Sequence, residues 1–213
     1  MKERRNLRAP ITLWILLVLM VLAGCQNIFT YTPLKGLQRD PSTLSSEQRL
    51  VYAQDALASG DRNAMLAAYN AIKTDTSPDA VHLTAELGIE LSAVPALVND
   101  AITNQSALTG SGTTVADYIA SHPGTDPALM IAGGQSINAL AGAGYPVTPN
   151  DRLLGAIGLA MNAAQTVNSS YDLSGVPVAN PDIAAAILLI APLVASGDTF
   201  AASLNTYLNN PAR

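Results

Sequence analysis

Ala58-Ser59-Gly60-Asp61 and Ala195-Ser196-Gly197-Asp198 are one tetrapeptide written twice, and its reading decides the fold. Glycine enters the left-handed backbone region without a Cβ clash, so it ends a helix just past the last turn. The aspartate after it carries a short carboxylate that accepts hydrogen bonds from the unpaired N–H groups opening the next helix. The tetrapeptide is therefore a stop and a start with nothing between them, a tight helix–turn–helix. Alanine follows three residues after each aspartate (Ala64, Ala201), and tyrosine at nearly the same offset (Tyr69, Tyr207).

Similar punctuation runs through the rest of the chain. Ser77-Pro78, Asp126-Pro127, Thr148-Pro149 and Asn180-Pro181 each place a capping side chain before a proline. Proline suits the first helical position because it has no N–H to leave unbonded. Thr148 is followed three residues on by Asp151, and Thr114 by Asp117, the spacing of an acidic capping box. Between these marks apolar residues recur at helical spacing: Leu50, Ala53 and Leu57; Met65, Tyr69 and Ile72; Leu154, Ile157, Met161 and Ala164. Leu83, Leu87 and Leu91 form another such face, with Glu86 and Glu90 on a wetter one beside it. The spacing predicts helices over 44–58, 61–73, 78–92, 94–108, 113–121, 127–142, 149–167, 181–196 and 198–209. No convincing run alternates as a half-buried strand does. The expected fold class is all-α, with short loops joining antiparallel helical hairpins across 44–213.

Two stretches carry expectations about packing. Ile183 to Ala195 holds thirteen residues without a charge, short of the roughly 20 a membrane span needs. It is expected as a buried central helix bent at Pro192. Gly155-Ala156-Ile157-Gly158 inside a helix would let a neighbouring helix approach closely.

Composition agrees with closely packed helices. Apolar residues make up 49% but aromatics only 5%, so the apolar mass is Ala, Leu, Ile and Val. Four of the eleven basic residues (Lys2, Arg4, Arg5, Arg8) and one of the sixteen acids (Glu3) precede residue 11. The chain beyond residue 24 has seven basic and fifteen acidic residues, a net of −8. That balance argues against nucleic acid and against a polybasic lipid-binding face. The one cysteine excludes an internal disulfide.

The repeated turn also carries a resemblance. With Ala53, Gly60-Asp61, Ala64 and Ala71, and again with Leu87-Gly88, Leu91 and Pro95-Ala96, the chain resembles the tetratricopeptide family over about 60 residues. The family's large aromatic near the start of the first helix is missing from both matches. The resemblance implies an α-solenoid of hairpins. After residue 110 the period breaks down, and an irregular helical bundle serves equally well.

The N-terminal segment is of another kind. Lys2 to Arg8 is basic, and Ile11 to Ala23 is an almost wholly apolar run of thirteen residues, the length of a signal peptide. It ends in Leu22-Ala23-Gly24-Cys25, which resembles the lipobox of bacterial lipoproteins. The resemblance implies that the Cys25 thiol takes a diacylglyceryl group, that the chain is cut before it, and that the new terminus is acylated. Gln26 rather than Asp after the cysteine implies the outer membrane by default. The expected organisation is a signal peptide over 1–24, a lipidated cysteine and flexible tether over 25–43, and a helical domain over 44–213. The eighteen residues from Gln26 to Thr43 span about 60 Å when extended. Phe29 and Tyr31 either rest at the lipid interface or pack on the domain.

No strong catalytic motif is present. His82 and His122 stand forty residues apart, outside any H-x-x-x-H or H-E-x-x-H frame. His82 has Glu86 four residues on, an ordinary helical pair, and His122 lies in a helix-ending Ser-His-Pro-Gly turn. Gly110-Ser111-Gly112-Thr113-Thr114 lacks the Gly-Lys-Ser/Thr ending of a phosphate loop, and reads as a loop between hairpins. Gly133-Gly134-Gln135-Ser136 and Gly142-Ala143-Gly144 are read the same way. No catalytic residue, cofactor or metal site is expected. Tyr52, Tyr69, Tyr118 and Tyr207 fall on expected helices and either line a partner groove with Asn or fill gaps in an Ala-rich core.

The expected function is non-enzymatic: a lipid-anchored cell-envelope protein on the periplasmic face of the outer membrane, held by Cys25. Its helical-repeat domain would be a protein–protein interaction scaffold or an assembly or secretion adaptor for another envelope protein or peptide. The alternative is an accessory lipoprotein of a transporter that binds a small solute or lipid.

Overall fold

The computed structural model describes residues 40–97, 122 and 124–210. Cys25, its lipobox, the tether up to residue 39, the expected helix over 113–121 and most of that over 94–108 lie outside these residues. Among the described residues there is no strand, and the protein is all-α. A 3-10 turn, Pro41–Thr43, leads into α1 (Ser46–Ser59), α2 (Arg62–Ile72), α3 (Pro78–Leu91), α4 (Pro127–Gly142), α5 (Pro149–Asn168), α6 (Pro181–Ala195) and α7 (Thr199–Leu208). Residues 94–97 are also helical. No described helix is long and apolar enough to cross a membrane.

The repeated tetrapeptide does the same work twice. Gly60 and Gly197 take φ of +65° and +87°. The Asp61 carboxylate accepts from the N–H groups of Asn63 and Ala64, and that of Asp198 from Ala201. The Pro-preceded helices begin where expected, at Pro78, Pro127, Pro149 and Pro181. Asp126, Thr148 and Asn180 cap through their side chains, whereas Ser77 caps α3 without a side-chain hydrogen bond.

Contacts between helices run antiparallel. Arg49 near the start of α1 donates to the carbonyl of Ala71 near the end of α2. Arg152 early in α5 reaches the carbonyl of Leu189 late in α6, and Asn162 late in α5 bonds Asp182 at the start of α6. Helix α3 is the shared wall of the domain. Leu83, Leu87 and Leu91 face the α1–α2 hairpin, in one cluster with Ala53, Ala56, Met65, Ala68, Ala71 and Ile72. Ala85 and Ile89 join the larger cluster, which α4 to α7 complete.

At the centre of that cluster α4 and α5 touch backbone to backbone. A Cβ on Gly158 would stand 2.5 Å from the carbonyl oxygen of Met130, and one on Gly134 would stand 2.7 Å from that of Gly155. Gly133-Gly134 is therefore a helix-crossing element inside α4, where the expected helix over 127–142 holds and the loop its glycines also suggested does not. On α5, Met161 and Ala164 of the expected face are buried, together with Ala156, Leu159 and Ala163, while Leu154 and Ile157 are only partly buried.

Helix α6 departs further from expectation. Ile183, Ala186, Leu189, Ile190 and Leu193 are buried, but Ala184, Leu188, Ala191, Pro192 and Ala195 are exposed. Leu188 is 73% exposed. The chargeless helix is therefore not a buried central one. It lies against α5 and α7 on one side and presents an apolar stripe on the other.

Candidate functional site

The middle of α3 begins the site. His82 and Glu86, four residues apart, share one side of the helix, and their nearest N and O atoms are 3.7 Å apart. The start of α5 completes it. Its capping box draws the Asp151 carboxylate back over the helix end, where Oδ2 accepts from the Thr148 N–H at 3.0 Å and from the Thr148 hydroxyl at 2.7 Å. The same Oδ2 stands 3.1 Å from Nε2 of His82. Asp151 is one of two buried polar residues among those described, and it is 5% exposed. A cap residue normally lies at the wet end of a helix. This one is covered, with the His82 side chain of α3 against it.

Tyr145, in the loop between α4 and α5, closes the other side. Its ring lies 5.5 Å from the His82 ring, tilted by 60°. Its hydroxyl donates to Oδ1 of Asp79 at 2.6 Å. That bond raises the Tyr145 pKa above the ordinary phenol value, because ionisation would place two anions face to face. The Glu86 carboxyl is also raised. Burial disfavours its charge, the Asp151 and Glu90 carboxylates add to the effect, and His82 opposes it.

These residues line an open cleft of about 630 Å³. Leu50, Leu57, Leu83, Ile89 and Leu154 give it apolar walls. Asp79, Glu86, Glu90 and Asp151 give it four carboxylates, and among the described residues no Lys or Arg lines it. No described Ser, Thr or Cys lines it either, so it offers an imidazole and attraction for a cation, without a side-chain nucleophile of those types.

From the sequence, His82 has only its helical neighbour Glu86. Asp151 is legible as a cap, but nothing in a local pattern ties it to a histidine 69 residues away. Of the tyrosines expected at a groove, Tyr52 and Tyr69 pack against the α1–α3 cluster, Tyr207 is 45% exposed on α7, and Tyr118 lies outside the described residues. None of the three described lines this cleft, whose tyrosine is Tyr145. Tyr69 instead borders a smaller pocket with Lys73, Thr84 and Ser136. The His122 carbonyl accepts from Thr125, 2.9 Å from its hydroxyl, within the turn that precedes α4.

A second surface stands apart in chemistry. The exposed stripe of α6 has no charge between Asp182 and Asp198. Phe200 and Tyr207 of α7 are also exposed, at 37% and 45%. Comparison with protein-family models, with curated proteins and with solved structures finds no match to this chain.

Proposed function

We propose that this protein is a lipid-anchored component of a bacterial cell envelope whose helical domain is a docking module for another envelope protein, as a scaffold or an assembly or secretion adaptor. The observation that carries the reading is Leu188, 73% exposed on a helix without charged residues between its first turn and its end. A helix apolar on all sides is stable in water only if its outer face is covered. Soluble monomers rarely expose contiguous apolar patches larger than a few hundred Å² except at interaction sites. The Leu22-Ala23-Gly24-Cys25 sequence supports the anchor, and Gln26 the outer membrane. The test is chemical cross-linking in intact membranes, followed by purification of the lipoprotein with its adducts. A discrete protein adduct that Leu188→Glu removes is expected. Adducts unchanged by Leu188→Glu would overturn the reading.

A second reading is favoured by the α3–α5 cleft. Its volume of about 630 Å³ suits a small ligand, and its four carboxylates select a cationic one. An accessory lipoprotein that hands such a solute to a transporter would carry it in this cleft. Native mass spectrometry of the purified protein separates the two readings: a stoichiometric small molecule supports the carrier, a bare chain the docking module.

A further inference from the structure

We propose that His82, Glu86 and Asp151 form a binding site for one divalent transition-metal cation. The inference does not rest on the docking function, because it concerns a different surface and reads out with metal alone. One nitrogen and two carboxylate donors lie within 4.8 Å of one another. His82 Nε2 is 3.1 Å from Asp151 Oδ2 and 3.7 Å from Glu86 Oε1. Two donors each about 2.0–2.1 Å from a tetrahedral ion stand about 3.3 Å apart, so the two separations from His82 fit after small rotations, and the Glu86 carboxylate swings toward Asp151 to close the third. The mixture of imidazole and carboxylate suits zinc, cobalt or nickel better than calcium, which takes six to eight oxygens, or magnesium.

Three features go beyond a chance cluster of acids. The first is that Asp151 is almost fully buried and its carboxylate is fixed beside His82 by both the amide and the hydroxyl of Thr148. The second is that His82 and Glu86 share one helical face at i and i+4, so one rigid element presents two donors. The third is that, among the described residues, neither Lys nor Arg lines the cleft to compensate its four carboxylates. The cation sits between His82 Nε2 and the Asp151 carboxylate, with its remaining positions open to the cleft. Tyr145 stands beside the imidazole with its ring tilted by 60°, and its hydroxyl is engaged by Asp79.

The test uses the full chain in detergent micelles, stripped with a chelator and titrated with ZnCl₂ by calorimetry and with CoCl₂ by visible absorption. One Zn²⁺ per chain is expected, with affinity reduced about tenfold or more by His82→Gln and by Glu86→Gln, and unchanged by His122→Gln. Asp151→Asn is avoided because it also removes the cap. Absence of saturable binding, or binding retained in both variants, overturns the proposal. Should a variant lose its helical circular dichroism, the wild-type chain decides: Co²⁺ must shift the His82 and Tyr145 ring resonances and leave those of His122 sharp. The reverse pattern overturns the site.

Discussion

Two glycines separate the ways in which a missing side chain supports this fold. Gly60 has φ +65° and open space where a Cβ would go. Gly60→Ala therefore pays only for backbone conformation, about 1 kcal/mol, and a urea melt should show a loss of that size. Gly158 has no such backbone need, but a Cβ there would meet the Met130 carbonyl at 2.5 Å. Gly158→Ala must push α4 and α5 apart and should cost about 3 kcal/mol. A third residue supplies a pH test. Asp75 accepts from the Ser46 hydroxyl at 2.7 Å and from the Ser77 amide at 2.9 Å, and its pKa is lowered from 3.8 to about 2 chiefly by the Ser46 bond. A depressed carboxylate contributes its stability above the ordinary value and loses it as pH falls through about 2. NMR titration should place the Asp75 midpoint near that value, and Ser46→Ala should move it upward.

Helix boundaries are legible in the sequence because caps are local. Pro127–Gly142 coincides with its expectation, and the other described helices fall within two residues of theirs, since each begins at a Ser, Thr, Asn or Asp read directly from the chain. Faces are less legible. Residues Leu154 and Ile157 outrank alanine in hydrophobicity, so periodicity places them inward. The Gly134–Gly158 contact sets which side of α5 meets α4, and Ala156, Leu159 and Ala163 are the side chains buried there. For α6, absence of charge suggests burial on all sides, but burial depends on what lies outside the helix. Because Leu188 is mostly exposed, Leu188→Glu should change folding stability by less than about 0.5 kcal/mol. Ile190→Glu on the buried face should unfold the domain in the same denaturation assay.

At the scale of the whole molecule, the cleft and the α6 stripe have opposite chemistry, one acidic and the other uncharged. Only the stripe is partly visible in sequence, as Ile183 to Ala195, because the cleft needs side chains of α1, α3 and the start of α5 brought to one place. The lipobox reading makes the position of the domain depend on Cys25. Cys25→Ser should abolish palmitate labelling and move the protein out of the floating membrane fraction. A variant that still floats and is still cleaved contradicts the anchor. The docking claim is tested most directly by a photo-cross-linking amino acid placed singly at 184, 186, 188, 190, 191 and 195 of the intact lipoprotein in its native membranes. Protein adducts are expected from 184, 188, 191 and 195, the exposed positions, and none from 186 or 190. Adducts without that helical periodicity, or none from α6 at all, would contradict it.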